Sequence, residues 1–189
     1  SDKLKVICGW DSFYKNKRSF DTIALASEDK IRLTSDLRWF LDNRDYYVHR
    51  GLTYKRNYLL YGEAGCGKSS IIWAMASHFD MDIHLVDISS LDRASELQRI
   101  LTRHKNCITV FEDIDAMRAD IENRDGNTSP PPPNSISLSS ILNTFDGINT
   151  PDGSICFFTT NHIEKLDSAF LRDGRMDFKW KWGVLVSLR

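Results

Sequence analysis

The stretch NYLLYGEAGCGKS, residues 57–69, joins an apolar run to a glycine-rich turn that ends in Lys68 and Ser69. Its last eight residues match the pattern G-x-x-x-x-G-K-S. The run 57–61 predicts a buried strand, and helical spacing of apolar residues over 69–79 predicts a helix. A turn in this context points successive N–H groups at phosphate oxygens, and the helix adds the positive end of its dipole. The stretch therefore predicts a polyphosphate site, whereas a turn that only connects two elements would not need the Lys-Ser pair.

The candidate phosphate-binding residues form one continuous segment. They are Gly62, Glu63, Ala64, Gly65, Cys66, Gly67, Lys68, Ser69 and Ser70. Lys68 is expected to reach the β- and γ-phosphates of a nucleoside triphosphate, and the Ser69 hydroxyl to ligate Mg²⁺. We expect Cys66 to pack within the loop and not to act as a nucleophile.

Polar residues end two further apolar runs. The β-branched run CITVF, residues 107–111, is followed by Glu112 and Asp113. One of these carboxylates can hold Mg²⁺ and the other can orient an attacking water. The run ICFFTT, residues 155–160, is followed by Asn161, whose amide can hydrogen-bond that water or a γ-phosphate oxygen. Either strand end could occur by chance alone, and the phosphate loop gives both of them a function.

Two arginines lie three residues apart near the end of the chain. Arg172 and Arg175 follow a short helix predicted over residues 167–171. They fit ordinary surface charge, and they also fit fingers that reach a nucleotide held by the next subunit and stabilise transition-state charge. Their spacing alone does not decide between the two.

The composition excludes several classes of function. The chain has 189 residues, 41% hydrophobic and 27% charged, enough for one domain with a buried core. Twenty-five Lys and Arg against 26 Asp and Glu give a net charge of −1, which predicts no nucleic-acid partner. No apolar run approaches the roughly 20 residues that cross a bilayer, so we expect no membrane contact within this chain. The scattered cysteines and the lack of an H-E-x-x-H motif argue against zinc, redox and metalloprotease sites.

Strands and helices alternate along the chain. The predicted strands are residues 57–61, 83–88, 107–111, 155–160 and 178–182, and the predicted helices are residues 34–50, 69–79, 91–104 and 167–171. Such alternation predicts an α/β fold in which helices cover both faces of a parallel sheet.

The same patterns predict the limits of the domain. We expect a core over residues 20–182, preceded by a linker over 1–19 and followed by an atypical tail over 183–189. Residues 118–135 contain four consecutive prolines and few apolar residues, which predicts a disordered surface insertion. A proline tract that docks on an aromatic groove is the alternative.

Taken in order, these elements resemble the AAA ATPases. Segments 47–62, 111–115, 142–147, 159–162 and 166–177 further resemble one branch of that family. This branch contains the mitochondrial translocase that delivers the Rieske iron–sulfur protein to respiratory complex III. The resemblance runs from about Phe20 to Trp180. It implies a P-loop NTPase fold, a three-layer α/β/α sandwich with a five-stranded parallel sheet, and a C-terminal helical lid that is missing here.

The resemblance also implies an activity and partners. It implies an ATP- and Mg²⁺-dependent chaperone or translocase motor that forms a homo-oligomeric ring and acts on a protein client. Arg172 and Arg175 would be fingers acting in trans, Asn161 a polar sensor, and Glu112 and Asp113 the acidic strand end, with Glu112 and Ser69 at the metal. Full-length members of the branch are membrane-anchored, so the resemblance places the protein at the mitochondrial inner membrane, on the matrix side.

Three departures from the family leave an alternative open. Glu63 and Ala64 replace the usual two prolines, and Asp173 replaces the usual proline between the arginines. Residues 183–189 do not resemble the family, so we expect the helical lid to be missing here. These features would also fit a nucleotide-binding switch or assembly module with little turnover. A small-molecule kinase would need an acceptor site that the sequence does not indicate. Residues 80–110 contain no aromatic residue and no glycine, which argues against gripping an unfolded thread by aromatic stacking.

Overall fold

The computed structural model describes residues 1–88, 91, 94–103, 106–115, 143–145, 150–166, 168–172 and 174–182. The expected insertion (118–135), the tail (183–189) and Asp173 lie outside the described residues.

The described residues form one seven-stranded sheet. Its strands are β1 (Lys3–Cys8), β2 (Asp11–Asn16), β3 (Lys55–Tyr61), β4 (Asp82–Leu85), β5 (Cys107–Phe111), β6 (Ser154–Thr160) and β7 (Phe178–Lys181). Across the sheet they run in the order β2-β1-β4-β5-β6-β3-β7. All neighbours are parallel except β1 and β2, which form an antiparallel hairpin.

All five predicted strands are present, but the expected five-stranded sheet is too small. The segment 1–19, expected to be a linker, contributes the hairpin β1–β2, and β1 pairs with β4 through the register Val6↔Ile83. Leu4 and Val6 are buried, whereas every residue of β2 is exposed. A strand with no buried face shows no hydrophobic pattern, so β2 gave the sequence analysis no signal.

The helices also differ from the predicted ones in part. They are α1 (Ser27–Asp42), α2 (Arg44–His49), α3 (Lys68–His78) and α4 (Ala94–Arg103), with short 3-10 helices at Phe20–Thr22 and Ile163–Lys165. The single helix predicted over 34–50 is two helices that meet at Asn43, whose side chain donates to the Trp39 carbonyl (2.7 Å). Of the helix predicted over 167–171, residues 168–171 form a turn, and residue 167 lies outside the described residues. A segment of five residues is too short to recover the cost of helix nucleation.

Two hydrophobic clusters lie on opposite faces of the sheet, as a three-layer fold requires. One contains Leu33, Leu37 and Phe40 of α1 with much of α3, and the other contains Leu97 and Leu101 of α4. Successive residues of the central strands alternate between them. Tyr58 and Leu60 join the first cluster and Leu59 the second; Phe157 joins the first and Phe158 the second.

The four cysteines are free thiols. Cys107 and Cys156 are buried in the sheet, and burial raises the pKa of Cys107 to about 12 and raises the pKa of Cys156 as well. These two thiols therefore behave as small core residues, as expected.

A polar cluster fastens α1 to β3, the strand that leads into the glycine-rich loop. Arg56 donates to both carboxylate oxygens of Asp36, and the Tyr58 hydroxyl donates to the same carboxylate (2.7 Å). Burial, and the Asp36 carboxylate beside it, raise the pKa of Tyr58, so the phenol stays protonated and keeps its hydrogen bond. Both charged side chains are about four-fifths buried, with exposed fractions of 19% and 18%.

We expect Asp36→Ala to lower the free energy of unfolding by about 2–4 kcal/mol, because it leaves a largely buried guanidinium without its partner. Asp42→Ala, an exposed position on the same helix, should change it by no more than about 0.5 kcal/mol. Urea unfolding of both variants measures the difference. Equal midpoints would contradict a stabilising role for the cluster.

Candidate functional site

The strand order brings the candidate residues to one edge of the sheet. β6 lies between β3 and β5, and the three strands are parallel. Their carboxyl ends therefore meet at the same edge, where ligands of open α/β sheets bind. The glycine-rich loop follows β3, the two acidic residues follow β5, and Asn161 follows β6.

The glycine-rich loop adopts a backbone that only glycine takes without strain. Gly62, Gly65 and Gly67 have φ values of 145°, 76° and 98°. Gly67 caps α3, and the first helical hydrogen bond runs from the Ile71 N–H to the Gly67 carbonyl (3.2 Å). The N–H groups of residues 68–70 precede that bond, so they are the donors that a helix start offers to an anion.

Gly62 also packs closely against the chain that follows β7. A Cβ atom placed on Gly62 would lie 2.7 Å from the Trp182 carbonyl oxygen. The Trp182 N–H donates to the Tyr61 carbonyl (2.7 Å), and the Gly62 N–H to the Thr160 carbonyl (3.3 Å). The start of the loop is therefore held between β6 and the end of β7.

Lys68 is buried at the centre of the site, with an exposed fraction of 7%. Its ammonium donates to the carbonyls of Gly62 (2.8 Å) and Glu63 (2.9 Å), and to the Asn161 Oδ1 atom (2.8 Å). Among the described residues, no carboxylate forms an ion pair with this ammonium. A buried cation held only by neutral acceptors is suited to an anionic ligand.

The two carboxylates after β5 face different partners. The Ser69 hydroxyl donates to Glu112, whereas the Asn161 amide donates to the Asp113 Oδ1 atom (3.2 Å). Asp113 has a φ of 48°, in the left-handed region, and its N–H donates to the Thr159 hydroxyl (3.0 Å). This turn separates two carboxylates that are adjacent in sequence.

Asp115 supports the site from below, although the sequence analysis gave it no role. It is buried, and its Oδ1 atom accepts from the Thr160 hydroxyl (2.6 Å) and from the Asn161 N–H (3.2 Å). Asp115 therefore fixes the backbone from which Asn161 reaches Lys68 and Asp113. The available signal was a third acidic residue, shortly after the two that follow β5.

The residues present fit Mg²⁺ when a polyphosphate supplies the remaining ligands. The Ser69 hydroxyl and the Glu112 carboxylate are hydrogen-bonded hard oxygen donors at the start of α3. Mg²⁺ usually takes one or two protein oxygens together with phosphate oxygens and waters. No group of three or more His, Cys, Asp or Glu side chains in the described parts of the chain could hold a metal by itself.

Glu63, Ala64 and Cys66 lie in the outer part of the loop. Glu63 and Ala64 are exposed, and Cys66 is half-buried. The Cys66 thiol donates to the Glu63 carbonyl (2.6 Å) and packs at the edge of the first hydrophobic cluster. These contacts agree with the expected packing role of this cysteine.

The structure does not bring Arg172 and Arg175 to the loop. The Arg175 carbonyl accepts from the Asn57 side chain (2.7 Å), and the Gly174 carbonyl accepts from Lys55 (2.6 Å). Both contacts lie at the start of β3, whereas the loop follows its end. Asn57 and Gly62 are five residues apart, about 17 Å of extended strand.

The two arginines also differ in their surroundings. Arg172 is exposed, whereas Arg175 is half-buried and donates to the Ala169 carbonyl of its own chain (2.9 Å). Next to Arg175, the Asp177 carboxylate accepts from the Asn57 N–H (2.8 Å), and burial raises the pKa of that carboxyl. Arg172 is therefore the more accessible of the pair.

In the described residues, no helix has the length and apolar character required to cross a membrane.

Comparison with known proteins places the chain among ATPases. The family "ATPase family associated with various cellular activities (AAA)" matches residues 58–184. An AAA-ATPase of Arabidopsis thaliana is 40% identical over 188 residues, which cover 89% of this chain and 36% of that protein. The probable mitochondrial chaperone BCS1-A of Dictyostelium discoideum is 40% identical over 178 residues, which cover 91% of this chain and 42% of that protein. Protein HYPER-SENSITIVITY-RELATED 4 of Arabidopsis thaliana is 41% identical over 172 residues, which cover 84% of this chain and 29% of that protein.

The chain thus spans between 29% and 42% of the length of these three relatives.

Two glycines of the loop provide a matched test of its geometry. Gly65→Ala should lower the free energy of unfolding by about 1–2 kcal/mol, because its φ is positive although nothing lies within 4 Å of an added Cβ atom. Gly62→Ala should cost more, because the added atom meets the Trp182 backbone as well. Thermal unfolding of both variants ranks them, and a Gly62→Ala protein as stable as Gly65→Ala would contradict the close packing described here.

Proposed function

This chain belongs to the AAA family of ATPases, and on that premise we propose that it binds Mg²⁺·ATP and hydrolyses it within a homo-oligomeric ring. The main support is a set of hydrogen bonds that joins five side chains at one sheet edge. Ser69 is bonded to Glu112, while Asn161 joins Lys68 to Asp113. Each hydrogen bond joins residues that follow different strands. Together these side chains supply a cation, a metal site and a carboxylate that can orient water.

In this proposal the loop residues 62–67 and Ser70 surround the phosphates with their backbone. The Lys68 ammonium exchanges its carbonyl and amide acceptors for β- and γ-phosphate oxygens. Ser69 and Glu112 hold Mg²⁺, which when bound neutralises charge on the β- and γ-phosphates.

Asp113 is proposed to orient the attacking water. The water oxygen forms a bond to the γ-phosphorus, the bond from that phosphorus to the β–γ bridging oxygen breaks, and ADP carries away the electron pair. The water proton passes towards the Asp113 carboxylate. Asn161 donates to Asp113, and its Oδ1 atom is released when Lys68 turns to the phosphates, so Asn161 is proposed as the polar sensor between the attacking water and the γ-phosphate.

The arginines are proposed to act on a neighbouring subunit. About 17 Å of strand separates the Arg175 backbone from the loop of the same chain, so an arginine of this segment reaches a triphosphate only when a second copy is adjacent. Arg172 is exposed and available, whereas Arg175 must first release the Ala169 carbonyl.

We further propose that the ring acts as a chaperone or translocase on a protein client, at the matrix side of the mitochondrial inner membrane. The support is the resemblance to the translocase branch and the relative named as a probable mitochondrial chaperone. The role of Rieske-protein insertion is proposed on the same ground. Fractionation of mitochondria with protease protection tests the location.

Asp113→Asn should lower turnover by about 100-fold or more and leave the affinity for ATP within a few-fold, because it removes the acceptor for the water proton but not a phosphate contact. Glu112→Gln should instead raise the Mg²⁺ concentration needed for half-maximal turnover, because it removes a carboxylate proposed to hold the ion. Phosphate release and binding of a fluorescent ATP analogue separate the two effects. Normal hydrolysis by Asp113→Asn, with only Glu112→Gln inactive, would reverse the assignment.

Mixing two inactive variants tests the shared site. Arg172→Ala should lose about 10³–10⁵-fold in turnover, and Lys68→Ala should lose ATP binding. Mixed rings should regain activity, because a Lys68→Ala subunit still supplies Arg172 to its neighbour. The control mixture pairs Arg172→Ala with a variant that carries both Lys68→Ala and Arg172→Ala. It should stay inactive, because neither subunit supplies Arg172.

Phosphate release by the unmodified protein distinguishes the proposed motor from a nucleotide-binding switch. Specific activity of the unmodified protein should rise with protein concentration as rings assemble. A protein that binds ATP and stays slow at every concentration would favour the switch.

A further inference from the structure

Arg18 lies in the segment between β2 and α1 and contacts two serines of α3. Its Nη1 atom donates to the Ser70 hydroxyl (3.0 Å), and its Nε atom to the Thr22 hydroxyl (3.1 Å). Its backbone N–H donates to the Ser77 hydroxyl (2.9 Å), near the other end of α3. One arginine thus spans α3 from its first turn to its last.

The guanidinium of Arg18 lies where a cation is electrostatically unfavourable. Ser70 follows Lys68 and Ser69 in the first turn of α3, where the helix dipole is positive. Within the described ranges, Arg18 forms no ion pair with a carboxylate. Two cations at the positive end of one helix repel each other, and a bound polyphosphate would relieve that repulsion.

The same segment ties the N-terminal hairpin to α3. The Trp73 ring lies between the two, with the Lys15 ammonium 3.8 Å and the Arg18 guanidinium 5.2 Å from its centroid. The Trp73 indole N–H donates to the carbonyl of Asn16, the last residue of β2. The Trp73 side chain therefore contacts both the end of β2 and the arginine that binds the first turn of α3.

We propose that Arg18 is a further positioning residue of the nucleotide site. It holds Ser70 and adds positive charge to the first turn of α3, so that triphosphate affinity depends on it, and it links that turn to the hairpin β1–β2. The inference rests on the proposed function of the loop. It assigns Arg18 no contact with the reacting atoms.

The test compares Arg18→Ala, Arg18→Lys and Lys15→Ala in the intact protein, with Mg²⁺·ATP as the probe. Lys15 contacts the same Trp73 ring but makes no hydrogen bond to the first turn of α3 in the described structure, so Lys15→Ala is the matched control. Arg18→Ala should raise the KM and the Kd for ATP about tenfold, with kcat within twofold. Arg18→Lys should recover part of this loss, and Lys15→Ala should change KM by less than twofold.

A double-mutant cycle separates positioning from a general structural role. Ser70→Ala should weaken ATP binding in the same direction, and the two changes together should cost less than the product of the single effects. Without nucleotide, Arg18→Ala should unfold at a temperature close to that of the unmodified protein. A lower unfolding temperature with unchanged KM, or strictly multiplicative effects with Ser70→Ala, would overturn the inference.

The outcome is distinguishable from failure of the proposed function. If the unmodified protein does not bind Mg²⁺·ATP, or if Lys68→Ala binds it equally well, the proposed function fails. If the unmodified protein binds, Lys68→Ala does not, and Arg18→Ala and Ser70→Ala both bind normally, only the role of Arg18 fails.

Discussion

The buried ammonium of Lys68 determines the arrangement of the site. It contacts two loop carbonyls and Asn161, so it joins the end of β3 to the end of β6. Asn161 passes the same constraint to Asp113, at the end of β5. Burial of a charge is costly, and in the described part of the chain neutral dipoles, which an anion can displace, are the acceptors that offset the cost for Lys68.

The sheet holds the candidate phosphate-site residues and the candidate arginine fingers at opposite ends of its strands. The loop, the acidic pair and Asn161 share the carboxyl edge, whereas the segment that carries Arg175 lies beside the start of β3. An extended strand is too stiff and too long for one copy of the chain to bring both groups to one phosphate. Joint action of the two edges therefore needs a second copy, and this requirement underlies the proposed ring.

Much of the fold was predictable because its signals are local. The hydrophobic patterns predicted five strands, all present, including β7, whose aromatic residues alternate with lysines. The burial of Leu59 and Phe158 opposite their neighbours follows from the two-residue repeat. The exposed strand β2 and the break of the first helix at Asn43 were not predictable. The first has no buried face, and the second is marked by a contact from the Asn43 side chain to the Trp39 carbonyl, which the spacing of apolar residues does not reveal.

The sequence by itself determined the loop 62–69 and the polar residues that end β5 and β6, because glycine geometry and strand ends are written in neighbouring residues. Only the tertiary structure decided which carboxylate faces which partner, that Asp115 supports Asn161, and that Arg18 reaches Ser70. These contacts join residues that are distant in sequence. They follow from strand order and from the left-handed turn at Asp113, and no local pattern encodes either.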